Sequence, residues 1–515
     1  MLAKVHSFSL YGITGHDIEI EVDVSNGIPA FEIVGLADTA VKESKERVRS
    51  AIRNNGFSFP IMRVTVNLAP AFVKKEGSSF DLPIAIGILL ATGQIEIEHI
   101  AQIGFIGELA LDGAVRHVNG VLPMSIRARA SGLRELFVPA ENSFEAAVVE
   151  GISIYPVHGI VDIVGHFNGQ RTIDCVNIDA RGLLAAEYAP DYDFSDVKGQ
   201  EQAKRALEIT ASGGHHCIMI GPPGSGKTML AKRLPSILPL LTYDESVEIT
   251  MLHSVAGMLP PGVSLISSRP FRNPLTSASA ASLTGGGKIP KPGEISLAHN
   301  GVLFLDELPE FGAQALDVLR QPLEDGQVTV SRVASKITYP ARTTFICAAN
   351  PCKCGYHNDS RRVCTCSATE IRHYFGRISG PLLDRIDIQI EVRLQEYDEL
   401  YKAKTAGESS EAIRKRVERA REIQKERYAG LKIYTNAHLE GGMVDKYCSL
   451  DGKSRMLMRV AFERMALSAR AHDKILKVAR TIADLEGADH IREQHVAEAI
   501  NYRCLDRGKM NPING

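Results

Sequence analysis

Nowhere in the 515 residues does an apolar run approach the ~18 residues a membrane-spanning helix needs. The first residues also lack a basic stretch leading into an apolar one. Both absences point to a soluble, cytoplasmic protein without a membrane partner. A large charge of either sign is missing too, the formal net charge being −2. Contact with nucleic acid therefore has to come from local basic patches and not from a global field. Cysteine is scarce: nine residues are too few for a disulfide scaffold in a chain of this size. Four of them fall together between Cys352 and Cys366, which points to a metal. What is present is 44% apolar residues along a long chain, enough for about three domains that each bury a core.

Residues 1–170 read as one α+β domain. Ile18, Glu19, Ile20, Glu21, Val22, Asp23 and Val24 alternate as a half-buried strand does, and Asn26-Gly27 then leads into residues 31–34, a β-hairpin signal. A helix is expected over residues 39–55 with Val41, Val48, Ala51 and Ile52 on one side, a strand over 63–68, an almost wholly apolar helix over 82–92, and strands over 103–111 and 136–138. Lys75-Glu76-Gly77-Ser78-Ser79 and Gly107-Glu108-Leu109-Ala110-Leu111-Asp112-Gly113 resemble the ribosomal-S5-like fold shared with Lon-type proteases. In the protease form a buried lysine takes a serine's proton. Ser79 falls where that serine would be, but Leu122 stands at the lysine's place, so the resemblance implies a degenerate protease fold without peptidase activity. Residues 171–194 have no clear periodicity and read as a linker.

The chemistry-bearing stretch is Gly221, Pro222, Pro223, Gly224, Ser225, Gly226, Lys227, Thr228, between an apolar strand-like run and a helix start. Such a loop turns backbone N–H groups onto phosphate oxygens, Lys227 reaches the β/γ-phosphates, and Thr228 can ligate Mg²⁺. Downstream, four apolar residues end in Asp306 and Glu307. A buried strand would carry Asp306 to its edge to hold Mg²⁺ through water, with Glu307 polarising the attacking water. ATP and Mg²⁺ are the cofactors this pattern implies. The gap between the two motifs is far longer than a βαβ connection needs, so it contains an insertion.

These residues resemble an AAA+ core over residues 195–395. Residues 253–299 then match a helix-2 insert, and residues 327–338 a pre-sensor hairpin. Arg269, Arg272, Lys288 and Lys336 are the candidate DNA contacts in them. The resemblance makes Asn350, at a strand tip, the residue that positions water at the γ-phosphate. It makes Arg385 the finger inserted into a neighbour's site, with Arg377 as second choice, and Arg470 a second sensor from its own chain's lid. Between these lie Cys352, Cys354, Cys364 and Cys366, two close pairs that suit tetrahedral Zn²⁺. Reduced thiols without metal and a redox pair are the other readings, and His357 and His373 are substitute ligands. Residues 396–515 read as a helical lid. Its core stripes are Met456, Leu457, Val460, Ala461 and Met465, then Ile475, Val478, Ala479 and Ile482, while the charged stretch 411–427 faces solvent or a partner.

The whole resembles the ComM/YifB family of magnesium-chelatase-like AAA+ ATPases. The most specific stretches are Arg269-Pro270-Phe271-Arg272, Gly285-Gly286-Gly287 through Pro292-Gly293-Glu294-Ile295-Ser296-Leu297-Ala298-His299, Leu305-Asp306-Glu307-Leu308-Pro309-Glu310-Phe311 and Arg377-Ile378-Ser379-Gly380-Pro381-Leu382-Leu383-Asp384-Arg385. The chain departs at Leu275-Thr276, where relatives carry a histidine pair. The fold class is thus α/β multidomain: an S5/Lon-like α+β domain, an AAA+ core and an α-helical lid. The resemblance implies a hexameric ATPase that branch-migrates DNA, branched or single-stranded, in homologous recombination and transformation, alongside other recombination proteins. The alternative is a chelatase-like or MoxR-like remodelling ATPase that works through a separate partner.

Overall fold

The computed structural model describes residues 1–186, 192–287, 290–332, 335–357, 359, 361–395 and 407–507. Near the N-terminus, alternation decides which face each strand buries. Ile18, Ile20, Val22 and Val24 point into the core from the strand Thr14–Ser25. Seven strands form the sheet, in the order Ala30–Val34, Arg63–Ala69, Thr14–Ser25, Leu2–Tyr11, Ile103–Phe105, Glu135–Pro139, Ser153–Val157. The hairpin expected across Asn26-Gly27 does not form. Arg63–Ala69 inserts between the two strands, antiparallel to one (Val22 opposite Val66) and parallel to the other (Phe31 opposite Val64). The tight hairpin lies earlier, where Tyr11 pairs with Thr14. The strand expected over 103–111 breaks after Phe105, and Glu108–Leu109 pairs instead with Val115–Arg116.

The helix Thr39–Asn54 is capped by Asp38, whose carboxylate accepts the Val41 N–H at 2.8 Å. It packs beside Asp81–Ala91, which is apolar on every side because all its sides are covered. The buried Asp81 at the start of that helix is held by Arg47 Nε at 2.6 Å. In the segment expected to be a linker, Val176 bridges to Ile154 and residues Ala180–Ala186 are helical.

The second sheet is fully parallel, in the order Phe271–Arg272, Val302–Leu305, Thr344–Ala349, Cys217–Ile220, Ile388–Glu391. Its three central strands are near-continuous apolar runs, as a sheet covered on both faces requires. The lid follows as Ser410–Arg427, Gly452–Arg464, Ala469–Leu485 and Glu493–Asn501. Its charged first helix is solvated on one face, where Glu411, Lys415, Arg419, Glu422, Lys425 and Glu426 are exposed, and packed on the other: Ile413, Val417 and Ala420 are buried, and Arg416 Nε bonds Glu208 at 2.6 Å on the helix Glu201–Gly213. One stripe is also displaced. Met456 is 62% exposed and Leu457 and Val460 only half-buried, while Ser454, Met458 and Ala461 face inward. Ile475, Val478, Ala479 and Ile482 are buried as expected.

The N-terminal unit is bonded to the parallel-sheet unit. Ser254 Oγ donates to Glu145 at 2.6 Å and accepts the Gly120 N–H at 3.1 Å, and Tyr243 donates to the Val148 carbonyl at 3.0 Å. Leu122 is buried in this same seam with Val148, Val149 and Leu265. Among the described residues no helix is long and apolar enough to cross a membrane.

Candidate nucleotide site and cysteine cluster

Three adjacent parallel strands deliver their C-terminal ends to one cleft, the usual ligand position in such a sheet. The strand Cys217–Ile220 leads into the glycine loop, Val302–Leu305 ends at Asp306, and Thr344–Ala349 ends at Asn350. Residues 223–229, Asp306, Glu307 and Asn350 line a cavity of about 410 Å³. Gly224 and Gly226 hold φ of 79° and 88°, a region only glycine enters without cost, and the helix Lys227–Ile237 begins immediately after. Backbone N–H groups at a helix start are thereby gathered at one end of the cavity.

Lys227 is 8% exposed. Its ammonium donates to the Gly221 carbonyl at 2.6 Å, the Pro222 carbonyl at 3.0 Å and Asn350 Oδ1 at 3.2 Å. Burial lowers its pKa to about 8, against the opposing pull of Asp306 and Glu307. Thr228 Oγ1 donates to Asp306 Oδ2 at 2.6 Å, so the hydroxyl and carboxylate suited to one Mg²⁺ already meet. Glu307 stands at φ 51°, ψ 49°, a strained setting for a residue with a side chain and one that persists where its surroundings demand it.

The arginines lie elsewhere. Arg385 pairs with Glu324, Arg377 with Glu310 at 3.2 Å and Arg470 with Asp384 at 3.1 Å, and none lines the cavity. Arg470, expected as a sensor from its own chain's lid, lies outside that cavity in this structure. The basic candidates in the insertion divide similarly. Arg269 bonds the carbonyls of Pro239 (2.6 Å) and Asn300 (2.7 Å) and pairs with Glu245, and Arg272 grips Glu294 through two bonds of 2.7 and 2.8 Å. Both are engaged by carboxylates of the same chain in this structure. Lys288 lies outside the described residues. Lys336 is exposed on the hairpin Gln327–Arg332/Ser335–Pro340, and its carbonyl accepts the Tyr11 hydroxyl at 3.1 Å. Leu275 is 77% exposed.

The four thiols of Cys352, Cys354, Cys364 and Cys366 lie within 4.8 Å of one another. Sulfur separations of 3.3, 3.7 and 3.6 Å approach the roughly 3.8 Å that tetrahedral ligands about 2.3 Å from Zn²⁺ would show. His357 and His373 are outside this group. Burial opposes ionisation of Cys354, but the backbone N–H groups of Tyr356 and Thr365 outweigh it and lower its pKa, whereas the thiols of Cys352, Cys364 and Cys366 are raised, so one thiolate is shared among four neighbours.

Two features escaped sequence reasoning. Gln200, at φ 58°, donates to the Ser225 carbonyl at 3.2 Å and the Arg393 carbonyl at 2.7 Å, tying the glycine loop to the neighbouring strand's end. A buried cluster joins His215, Asp387, Lys474 and Thr481 beneath the Arg385 loop. The adjacent His215-His216 before a core strand was the only hint.

Comparison with known proteins shows what the chain as a whole is similar to. The family described as "Magnesium chelatase, subunit ChlI" matches residues 193–400, "Subunit ChlI of Mg-chelatase" residues 20–142, and "Magnesium chelatase, subunit ChlI C-terminal" residues 407–503. The chain is 44% identical over 517 residues to the competence protein ComM of Haemophilus influenzae, covering 98% of each. It is 42% identical over 506 residues to the uncharacterized protein YifB of Escherichia coli, again covering 98% of each. The magnesium-chelatase 38 kDa subunit of Rhodobacter capsulatus is 23% identical over 354 residues, which span 64% of this chain and 91% of that one.

Proposed function

The chain belongs to the ComM/YifB family of magnesium-chelatase-like proteins, and from that premise we propose an ATP-hydrolysing AAA+ motor that moves branched DNA in homologous recombination and natural transformation. The convergence of the glycine loop, Asp306, Glu307 and Asn350 on one cavity carries this reading. The loop's N–H groups and Lys227 bind the β- and γ-phosphates of ATP. Thr228 and Asp306 are placed to hold Mg²⁺, which when bound neutralises phosphate charge. Glu307 accepts the proton of the attacking water and Asn350 orients that water. In binding ATP, Lys227 exchanges the Gly221 and Pro222 carbonyls for phosphate oxygens.

The remaining positive charge comes from a second subunit. Arg470 bonds Asp384, the residue immediately before Arg385, so both arginines share one face outside their own cavity. In a closed ring, a hexamer in this reading, that face meets the next subunit's cleft. Lys336 on its hairpin is the remaining DNA contact among the described basic candidates. Zn²⁺ in the cysteine cluster completes the cofactor set, and the cytoplasm is the setting. A remodelling ATPase acting through a separate protein is the second reading. It is favoured by the internal clamping of Arg269 and Arg272, which removes two of the four basic candidates.

ATPase rate and movement of a four-way DNA junction, for the native chain and Lys227→Ala, decide between them. Junction-stimulated hydrolysis and junction movement, both lost in the variant, are expected. Hydrolysis indifferent to DNA, with the junction unmoved, would hand the case to the remodelling reading.

A further inference from the structure

The cysteine knuckle is built onto the floor of the nucleotide cleft. Cys352 follows Asn350 by two residues, and Asn350 accepts the Lys227 ammonium at 3.2 Å. Gly355 lies against the glycine loop at φ 88°, where an added Cβ would come within 2.6 Å of Pro223 Cδ. Arg361, between the two cysteine pairs, donates to the Gln395 carbonyl at 3.0 Å. The Gln395 side chain in turn bonds the Lys198 carbonyl, two residues before the Gln200 that holds Ser225. The knuckle thus reaches the phosphate loop from two sides.

Cys352 is buried in the core of the parallel-sheet unit, but the segment between the cysteine pairs has few apolar residues to bury. Among the described residues from 351 to 367 there is neither helix nor strand, and Val363 is 90% exposed. A short loop with few apolar residues to bury is ordered by a cross-link or not at all. We propose that Zn²⁺ bound by Cys352, Cys354, Cys364 and Cys366 acts as a clamp: the metal holds the knuckle against Pro223 and Asn350 and thereby sets the affinity for ATP. This rests on the ATP and zinc readings above. Zinc removal frees the knuckle, and the glycine loop loses the wall that shapes it.

The test compares chain kept reduced and free of chelator with the same chain stripped of zinc, using metal analysis, circular dichroism and titration with a fluorescent ATP analogue. About one zinc per chain is expected. Stripping should leave the spectrum native and weaken nucleotide binding about tenfold or more, reversibly on adding zinc. Gly355→Ala should keep its zinc and still bind nucleotide more weakly, which separates the contact with Pro223 from loss of metal. A native-folded, zinc-free chain that binds within twofold of the loaded one would overturn the clamp and leave both underlying readings intact. Absence of zinc would overturn the zinc reading and the clamp with it. Zinc-loaded chain that binds no nucleotide would instead sink the ATP reading. Unchanged affinity in a zinc-loaded Gly355→Ala chain would refute transmission through Pro223.

Discussion

Replacing Asp387 by asparagine should make the stability of this protein depend on pH in a window where the native chain is nearly insensitive to Lys474. Asp387 and Lys474 are 8% and 9% exposed, and their charged atoms stand 3.6 Å apart. His215 Nδ1 lies 2.9 Å from the same carboxylate, and Lys474 Nζ also donates to the Ile386 carbonyl at 3.0 Å. Burial works against ionising Asp387, but the bond from His215 and the charge of Lys474 outweigh it and hold the carboxyl well below its usual range. Burial lowers Lys474 to about 8, with Arg503 and Lys477 adding to the shift and Asp387 and Asp384 resisting it. At 3.6 Å and an effective dielectric constant of about 20, the pair's attraction is roughly 4–5 kcal/mol.

That figure is a ceiling on the loss, because a stranded lysine can release its proton. In the native fold, where Asp387 helps to hold the proton, losing it costs about 1.4 kcal/mol for each pH unit below 8; without Asp387 the lysine titrates lower and gives it up, so the pH-dependent part of the loss is about 1.4 kcal/mol at pH 7 and about 3 at pH 6. The sign follows from linkage. In the variant the unfolded chain binds one more proton than the folded chain, so stability rises with pH until the unfolded lysine itself titrates. Urea midpoints of the transition that includes the parallel sheet and lid, measured from pH 6 to 8.5, read the effect directly. The gap between native and Asp387→Asn should close toward pH 8, and adding Lys474→Met should abolish its pH dependence. A gap that is constant across this range would refute the reasoning.

ATP affinity should be level below pH 8 and fall by up to tenfold per unit above it as Lys227 loses its proton, a trend checked by titration with a nucleotide analogue. Ser254→Ala should cost about 1–3 kcal/mol by stripping bonds from buried Glu145 and the Gly120 N–H, with quicker proteolysis between the N-terminal and parallel-sheet units. Lys336→Ala should weaken junction binding and reduce its salt slope by about 1, whereas Arg269→Ala should lower the unfolding midpoint without changing that slope.

The nucleotide loop was legible because phosphate chemistry demands particular residues at fixed spacing next to a strand end. Lys227, Thr228, Asp306, Glu307 and Asn350 stand out in the sequence for that reason, and the structure brings all five together. Strand pairing was not legible in the same way. Alternation over residues 18–24 states which face is buried but not which strand lies alongside, so Arg63–Ala69 took the place given to residues 31–34. Basic residues mislead for a related reason. Nothing local distinguishes an arginine awaiting a phosphate from one gripping Glu294 or Glu245, since the partner carboxylate is distant in sequence. In the lid the inward face of Gly452–Arg464 was set by the neighbouring helix Glu493–Asn501, and it turned Met456 outward despite its hydrophobicity.

Leu122 has a consequence beyond the missing base. It seats the N-terminal unit on Leu265, with Tyr243, Val247 and Met251 packed around the same seam. These side chains would be bared to water if the first 186 residues were removed. The parallel-sheet unit is therefore not a self-sufficient module that acquired an accessory, because its outer wall is finished by the fold that precedes it. A shortened chain would carry a sticky flank, and self-aggregation would draw on molecules that the full-length chain keeps in solution.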